Sequence, residues 1–179
     1  MAECVQLVVS ALFAPGGLLA ATVPRGASPN FRLPQSYHRA TEWIAFDDVH
    51  WLAVLLATLS SFAVGALWYS PSVFGTRWAR YAGINMDEGD KDNLVAIMGV
   101  TFVAAAVTAL TLALLMPPLG ASGVAGGALL GAVLGCVFRV GAHVIHNGFA
   151  GRPVGQTIID GLHDIAAMAV AGAILGIWI

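Results

Sequence analysis

Four long apolar stretches set the strongest limit on how this chain can fold. Each is close to the roughly 20 residues that a helix needs to cross the hydrocarbon core of a bilayer, and each is continuous rather than alternating in hydrophobicity. Only helices and closed barrels satisfy their backbone hydrogen bonds in lipid, and continuous runs favour helices. The sequence therefore predicts an all-α, polytopic integral membrane protein with four transmembrane helices: Val49 to Tyr69, Leu94 to Met116, Leu119 to about Arg139, and about Gln156 to Ile179.

The composition excludes an ordinary soluble domain. Hydrophobic residues make up 58% of the chain and charged residues 10%, whereas a soluble domain carries about 25% charged residues. The formal net charge is -2 and there is no long block of like charges, so we expect the lipid bilayer as a partner and no nucleic acid. Cys4 is close to the N-terminus and Cys136 lies in an apolar run, so a disulfide framework is not expected.

The first 46 residues differ from the rest of the chain. Their apolar segment, VQLVVSALFAPGGLLAATV, is interrupted at Pro15 and is followed by the linker-like PRGASPNFRLPQSYHR. It follows Glu3 rather than a basic start, so it is a poor match to a signal peptide. A signal, a fifth span and a start-site artefact all stay open. We expect a weakly ordered extension over residues 1–46 and a four-helix transmembrane domain over residues 47–179.

The first span ends in an aromatic and basic segment, GALWYSPSVFGTRWARY. Aromatic rings favour the headgroup layer and arginines reach phosphates from there, so we expect a short amphipathic helix lying on the membrane. The basic loops after the first and third spans predict a multi-pass protein of the cell membrane with those loops in the cytoplasm. The residues expected at this interface are Trp68, Tyr69, Arg77, Trp78 and Arg152.

The third and fourth spans are predicted to form a tight antiparallel hairpin because only the short NGFAGRPVG connects them. With the turn centred on Gly151 and Arg152, one register pairs opposite charges and also aligns small residues, which let helix backbones approach closely. The expected charge pairs are Arg139 with Asp164 and His143 with Asp160. The expected glycine contacts are Gly135 with Met168, Gly131 with Gly172, and Gly127 with Gly176.

Ionisable side chains collect at one end of this hairpin, on one face of each helix. Three interpretations stay open. The first is a set of structural ion pairs or a ligand site formed by Arg139, His143, Asp160 and Asp164. The second is a zinc or iron site whose ligands are His143, His146, Asp160, His163 and Asp164. The third is a proton relay or the binding of a small polar ligand between the helices.

The segment from Val49 to Trp78 carries a Gly-x-x-Trp-Tyr-Ser-Pro pattern followed by Phe-Gly and Trp, and the later segment from Phe149 to Pro153 reads FAGRP. In these residues the chain resembles the small membrane-protein family catalogued as domain of unknown function 1761. The resemblance covers about residues 47–179 and implies a four-helix membrane fold with no established activity. Ala150 departs from the glutamate usual in that family, so any role of that acid is absent here.

No catalytic constellation is evident in the sequence. There is no serine or cysteine nucleophile with a partnered base and no phosphate-binding loop, so no catalytic residue is assigned and an enzyme is not favoured. We expect a binding, assembly or scaffolding protein that self-associates or joins another membrane protein. The alternatives are a small proton-coupled carrier and a metal-binding membrane protein, each using the polar end of the hairpin.

Overall fold

The computed structural model describes residue 46, residues 48–85 and residues 91–179, with residues 91–93 described by their backbone alone. Every regular element in these ranges is a helix, as the sequence predicts. The predicted extension over residues 1–46 lies outside the described residues apart from Phe46. The helices are α1 (Trp51–Trp68), α2 (Gly75–Ala82), α3 (Lys91–Leu115), α4 (Gly123–Leu134), α5 (Gly141–Phe149) and α6 (Val154–Leu175).

Four helical segments in this part of the chain are long and apolar enough to cross a membrane, which confirms the predicted architecture. Two of them are α1 and α6, and a third is the portion Leu94–Leu115 of α3. The fourth, Gly123–Phe149, contains α4 and α5 joined without a break by a π-helical segment, Gly135–Val140. The helix continues well beyond the predicted end near Arg139. Ionisable side chains interrupt the apolar run there, but they do not end the helix because they have partners on a neighbouring helix.

A core of small residues holds α1, α3 and α6 together at one end of the bundle. Alanines dominate it, and small side chains let helices approach closely in lipid. Leu112 of α3, Met116 just after α3 and Leu175 of α6 fill the remaining space and are at most 1% exposed. Because the buried α3 residues all belong to its C-terminal third, the earlier part of α3 is free of this core. The buried members are Ala53, Val54, Ala57, Ala109, Leu112, Ala113, Met116, Ala171 and Leu175.

Glycines bring the backbones of α4 and α6 into direct contact. A Cβ atom added to Gly127 would collide with the backbone carbonyl of Gly172, and one added to Gly172 would collide with that of Gly127. Gly131 meets the backbone of Met168 in the same way, and Gly176 meets Gly123. These positions therefore cannot accept any side chain unless the two helices separate.

The predicted glycine register is wrong by one helical turn. Gly127 packs on Gly172 rather than Gly176, and Gly131 on Met168 rather than Gly172. The π-helical segment lies between the turn and these contacts, and its wider turn accommodates about one extra residue that the sequence register does not count. Because the glycines repeat every four residues, the contact can shift only by about a whole turn and still join small residues.

A sharp reversal after α1 places α2 against the start of α6. Gly75, the first residue of α2, lies so close to the backbone of Tyr69 and Ser70 that a Cβ atom there would collide with both. Further along α2, Tyr81 packs on Gly155 of α6, where a Cβ atom would strike the phenol ring. The reversal thus sets aromatic residues of α1 and α2 beside the polar face of α6.

Candidate functional site

The centre of the polar cluster is the carboxylate of Asp164, a residue that lies on the inner face of α6 and is 7% exposed as a whole. Arg139 donates from Nε to its Oδ2 atom at 3.0 Å. His143 Nε2 lies 3.0 Å from the same oxygen, and His163 Nδ1 lies 3.1 Å from Oδ1. A buried carboxylate is tolerated where its oxygens accept several hydrogen bonds and a cation lies beside it.

Arg139 thus contacts the residue that the sequence register assigns to it, whereas His143 does not. The register pairs His143 with Asp160, but in the structure His143 contacts Asp164 instead. The physical reason is that Asp160 accepts its hydrogen bonds from other side chains. Tyr69 donates its hydroxyl to Asp160 Oδ1 at 2.9 Å, and the indole Nε1 of Trp78 donates to the same oxygen at 2.8 Å.

Aromatic rings form a layer between α1, α2 and this part of α6. The Tyr69 ring lies 4.9 Å from the His163 ring and 5.4 Å from that of Trp78, measured between centroids. Trp68 also donates from Nε1 to the carbonyl oxygen of Ile159 at 3.1 Å. The sequence predicts these aromatic residues at the membrane interface. Their hydrogen bonds to α6 show that they also hold α1 and α2 against α6, which the sequence does not indicate.

The two carboxylates lie at different depths. Asp160 is level with the end of α1, where Trp68 and Tyr69 stand, and Asp164 is one turn, or about 6 Å, further along α6. Burial, followed by the charge of Asp160 and the hydrogen bond to it, raises the pKa of Tyr69 above its ordinary value of 10.0. Tyr69 therefore stays a neutral hydrogen-bond donor to Asp160 at physiological pH.

The five side chains of the predicted zinc or iron site do not gather around one point. His143 and His163 approach opposite oxygens of Asp164, Asp160 is held by the aromatic donors, and His146 is exposed on α5. Over residue 46, residues 48–85 and residues 91–179, no group of three or more His, Cys, Asp or Glu side chains is arranged to hold a metal ion.

A partly open cavity of about 420 Å³ adjoins the cluster. Its walls come from the second half of α1, the middle of α3 and the middle of α6, and Arg139 reaches it from the π-helical segment. Most of the lining is apolar, and Arg139, His163 and Asp164 provide a polar end. The lining consists of Ser61, Phe62, Gly65, Ala66, Tyr69, Met98, Thr101, Ala104, Ala105, Thr108, Arg139, His163, Asp164, Ala167 and Met168.

The cavity is the feature that sequence reasoning missed. The sequence does contain one indication of the α3 wall, because Thr101 and Thr108 lie two turns apart and so place two hydroxyl groups on one face of the helix. One nitrogen at the polar end, His163 Nε2, is buried and has no hydrogen-bond partner among the residues that the structure describes. It faces the backbone of α1 at Gly65, where an added Cβ atom would lie 3.5 Å away.

The remaining interfacial residues lie on the surface. Arg77, on α2, is exposed, and so is Arg152, in the turn before α6. Both stand on the same side of the bundle as the aromatic layer, since α2 packs against the beginning of α6. This arrangement is compatible with the headgroup position that the sequence predicts for them.

The comparisons with known proteins bear on the family. The model of a family described as "Protein of unknown function (DUF1761)" matches residues 52–176, which include the Trp-Tyr-Ser-Pro segment, the cavity walls and the polar cluster. No curated protein matches the sequence, and no solved structure matches it. Since the family match covers well over half of the residues, this chain belongs to the DUF1761 family, a family of unknown function.

Proposed function

We propose that this protein binds a small amphiphilic molecule, drawn from the bilayer, in the cavity between α1, α3 and α6. The observation that carries the proposal is one continuous cavity with apolar walls and a charged, hydrogen-bonding end. Ligand sites generally occupy about 300 to 1,000 Å³ and combine a predominantly apolar lining with a few polar groups that fix orientation. At about 420 Å³ the cavity falls within that range.

The side chains of the wall suit an elongated apolar ligand. Phe62 contributes a rigid aromatic surface, while Met98 and Met168 have flexible side chains that adapt to irregular shapes. The cavity is partly open and adjoins the part of α3 whose apolar side chains are exposed. A ligand with an apolar body could therefore enter from the lipid without crossing water.

The polar end supports binding over a purely structural role. Arg139 is anchored to Asp164 by its Nε atom, yet its side chain is 55% exposed. Ionisable groups within a span are costly and commonly mark a binding site or pathway. Among the functions that the sequence leaves open, namely binding, assembly or scaffolding, proton-coupled transport and metal binding, a ligand-binding role makes use of both the cavity and the exposed cation.

We place the protein in the cell membrane, with α2 and the turn before α6 on the cytoplasmic side. Arg77 and Arg80 of α2 and Arg152 of the turn support this orientation because basic residues are retained in cytoplasmic loops. The polar end of the cavity then lies near the cytoplasmic leaflet. A ligand would be held with its polar group toward the cytoplasm and its apolar body toward the bilayer centre.

Two variants of α3 test the proposal. Ala105→Phe places an aromatic ring in the cavity wall, whereas Val107→Phe adds the same ring at a position that is 58% exposed and outside the lining. Small molecules are extracted from each purified protein and identified by mass spectrometry. We expect one amphiphile near one equivalent in the wild type and in Val107→Phe, and its depletion in Ala105→Phe. The same extract from all three proteins would refute the assignment of this cavity.

A further inference from the structure

We infer that the polar group of the ligand is an uncharged hydrogen-bond acceptor, such as an ester or ketone carbonyl, and that Arg139 is its donor. This inference rests on the proposed function and narrows the chemical class of the ligand. It follows from which donors at the cavity are already used, from the capacity of the guanidinium group, and from the net charge around the polar end.

The hydroxyl groups of the lining have no proton to offer a ligand. Each serine or threonine hydroxyl in the wall donates to a backbone carbonyl four residues earlier in its own helix, as hydroxyls within apolar helices commonly do. The Tyr69 hydroxyl donates to Asp160. The helix bonds run from Ser61 to Ala57, from Thr101 to Ile97 and from Thr108 to Ala104.

The nitrogen of His163 that lacks a partner is not a donor to the cavity either. Asp164 carries a negative charge beside Arg139, so the proton shared with His163 belongs to the histidine Nδ1 atom. The other nitrogen, Nε2, is the one that lacks a partner among the described residues. It is also buried against α1 at Gly65, which keeps a ligand away from it.

Arg139 has spare donors at the polar end. A guanidinium group carries five N–H bonds, and within the described residues the structure records a single hydrogen bond from it, that of Nε to Asp164. The N–H groups of the two terminal nitrogens are thus available in a side chain that lines the cavity and is 55% exposed. A ligand that presents an acceptor oxygen there satisfies donors that hydrocarbon would leave unpaired.

The charge balance favours a neutral acceptor over an anionic one. The two charged side chains of the polar end balance each other, because Arg139 carries a positive charge and Asp164 a negative one at 3.0 Å from it. A carboxylate or phosphate group would add an unbalanced negative charge there and would be repelled by Asp164 in a medium of low dielectric constant. An ester or ketone oxygen accepts the same hydrogen bonds without this repulsion.

The test compares three probes of similar size: methyl laurate, which has a neutral acceptor, laurate, which has an anionic one, and tetradecane, which has none. Saturation binding of each radiolabelled probe is measured with the full chain in lipid nanodiscs, after subtraction of binding to empty nanodiscs. The proteins are the wild type, Arg139→Met and Arg139→Lys. The lysine variant keeps a cation for Asp164 and guards against loss of the fold.

We expect methyl laurate to bind the wild type more tightly than laurate or tetradecane does. Arg139→Met should weaken methyl laurate binding by about tenfold or more, the usual effect of losing a hydrogen bond to a charged group, and should leave tetradecane unchanged. Arg139→Lys should weaken methyl laurate binding while keeping thermal stability near that of the wild type, because its single ammonium group is held by Asp164.

The other outcomes separate the two proposals. Equal binding of methyl laurate and tetradecane, unaffected by either Arg139 variant, would overturn the acceptor inference and leave the proposed binding function intact. Laurate binding more tightly than methyl laurate would overturn the neutrality of the polar group. No saturable binding of any probe to the wild type would overturn the proposed function and the inference with it.

Discussion

Arg139 and Asp164 form an unequal ion pair, in which a guanidinium group that is 55% exposed meets a carboxylate that is 9% exposed. The donor–acceptor distance is 3.0 Å, and the pair joins the π-helical segment to the middle of α6. The carboxylate depends on the pair more than the cation does, because Asp164 is buried whereas more than half of the Arg139 side chain is exposed.

The first prediction concerns this dependence. Asp164→Asn should lower the free energy of unfolding by roughly 1 to 3 kcal/mol, since it deprives Arg139 and both histidines of a charged acceptor. Arg139→Gln in the same chain should recover part of that loss because no unpaired cation is left. Unfolding of the single and double variants in detergent gives the coupling energy. Strictly additive losses would show that the two side chains do not stabilise each other.

The second prediction concerns the contact between α4 and α6. Gly127→Ala should destabilise the protein by about 1 to 3 kcal/mol, the usual effect of overpacking, because the added methyl group strikes the backbone of Gly172. Gly141→Ala is the matched control, since no atom lies within 4 Å of an added Cβ atom. In a helix that change should stabilise by up to about 1 kcal/mol. A melting temperature that shifts in the same direction in both variants would contradict the contact between Gly127 and Gly172.

The membrane fold was predictable because span length and continuous hydrophobicity are local properties of the sequence. The family was predictable from the Trp-Tyr-Ser-Pro segment, and the family model confirms it. The partner of Arg139 followed from the short turn before α6, since a long side chain tolerates an error of a few ångströms. The glycine contacts did not follow, because a backbone contact tolerates no such error and a π-helical segment is not visible in the sequence.

The polar site was less predictable because its contacts join segments far apart in the chain. Tyr69 and Trp78 reach Asp160 across 91 and 82 residues. A sequence shows such rings as interfacial but not which acceptor they select. The cavity was hidden for the same reason, since its walls come from α1, α3 and α6, which are far apart in the sequence.

The third prediction concerns Tyr69. Because burial and Asp160 raise its pKa above 10.0, Tyr69 should stay protonated when exposed tyrosines ionise. Above pH 10.0 the unfolded chain releases the proton first, so this contribution to stability is present below that pH and is lost as the pH rises beyond it. The difference in near-ultraviolet phenolate absorbance between the wild type and Tyr69→Phe isolates the titration of Tyr69. A Tyr69 signal that titrates together with the other tyrosines would contradict the raised pKa.

The fourth prediction concerns the attachment of α2 to α6 by the indole of Trp78, which donates to Asp160 at 2.8 Å. Asp160→Asn keeps an acceptor oxygen of the same size, whereas Asp160→Leu removes it and leaves the Trp78 and Tyr69 donors unpaired. We expect α2 to loosen in the leucine variant alone.

Limited trypsin cleavage at Arg77 and Arg80, both exposed on α2, reports that loosening in nanodiscs. Cleavage should be several-fold faster in Asp160→Leu and near the wild-type rate in Asp160→Asn. Equal rates in all three proteins would mean that packing, including that of Tyr81 on Gly155, holds α2 without the hydrogen bond.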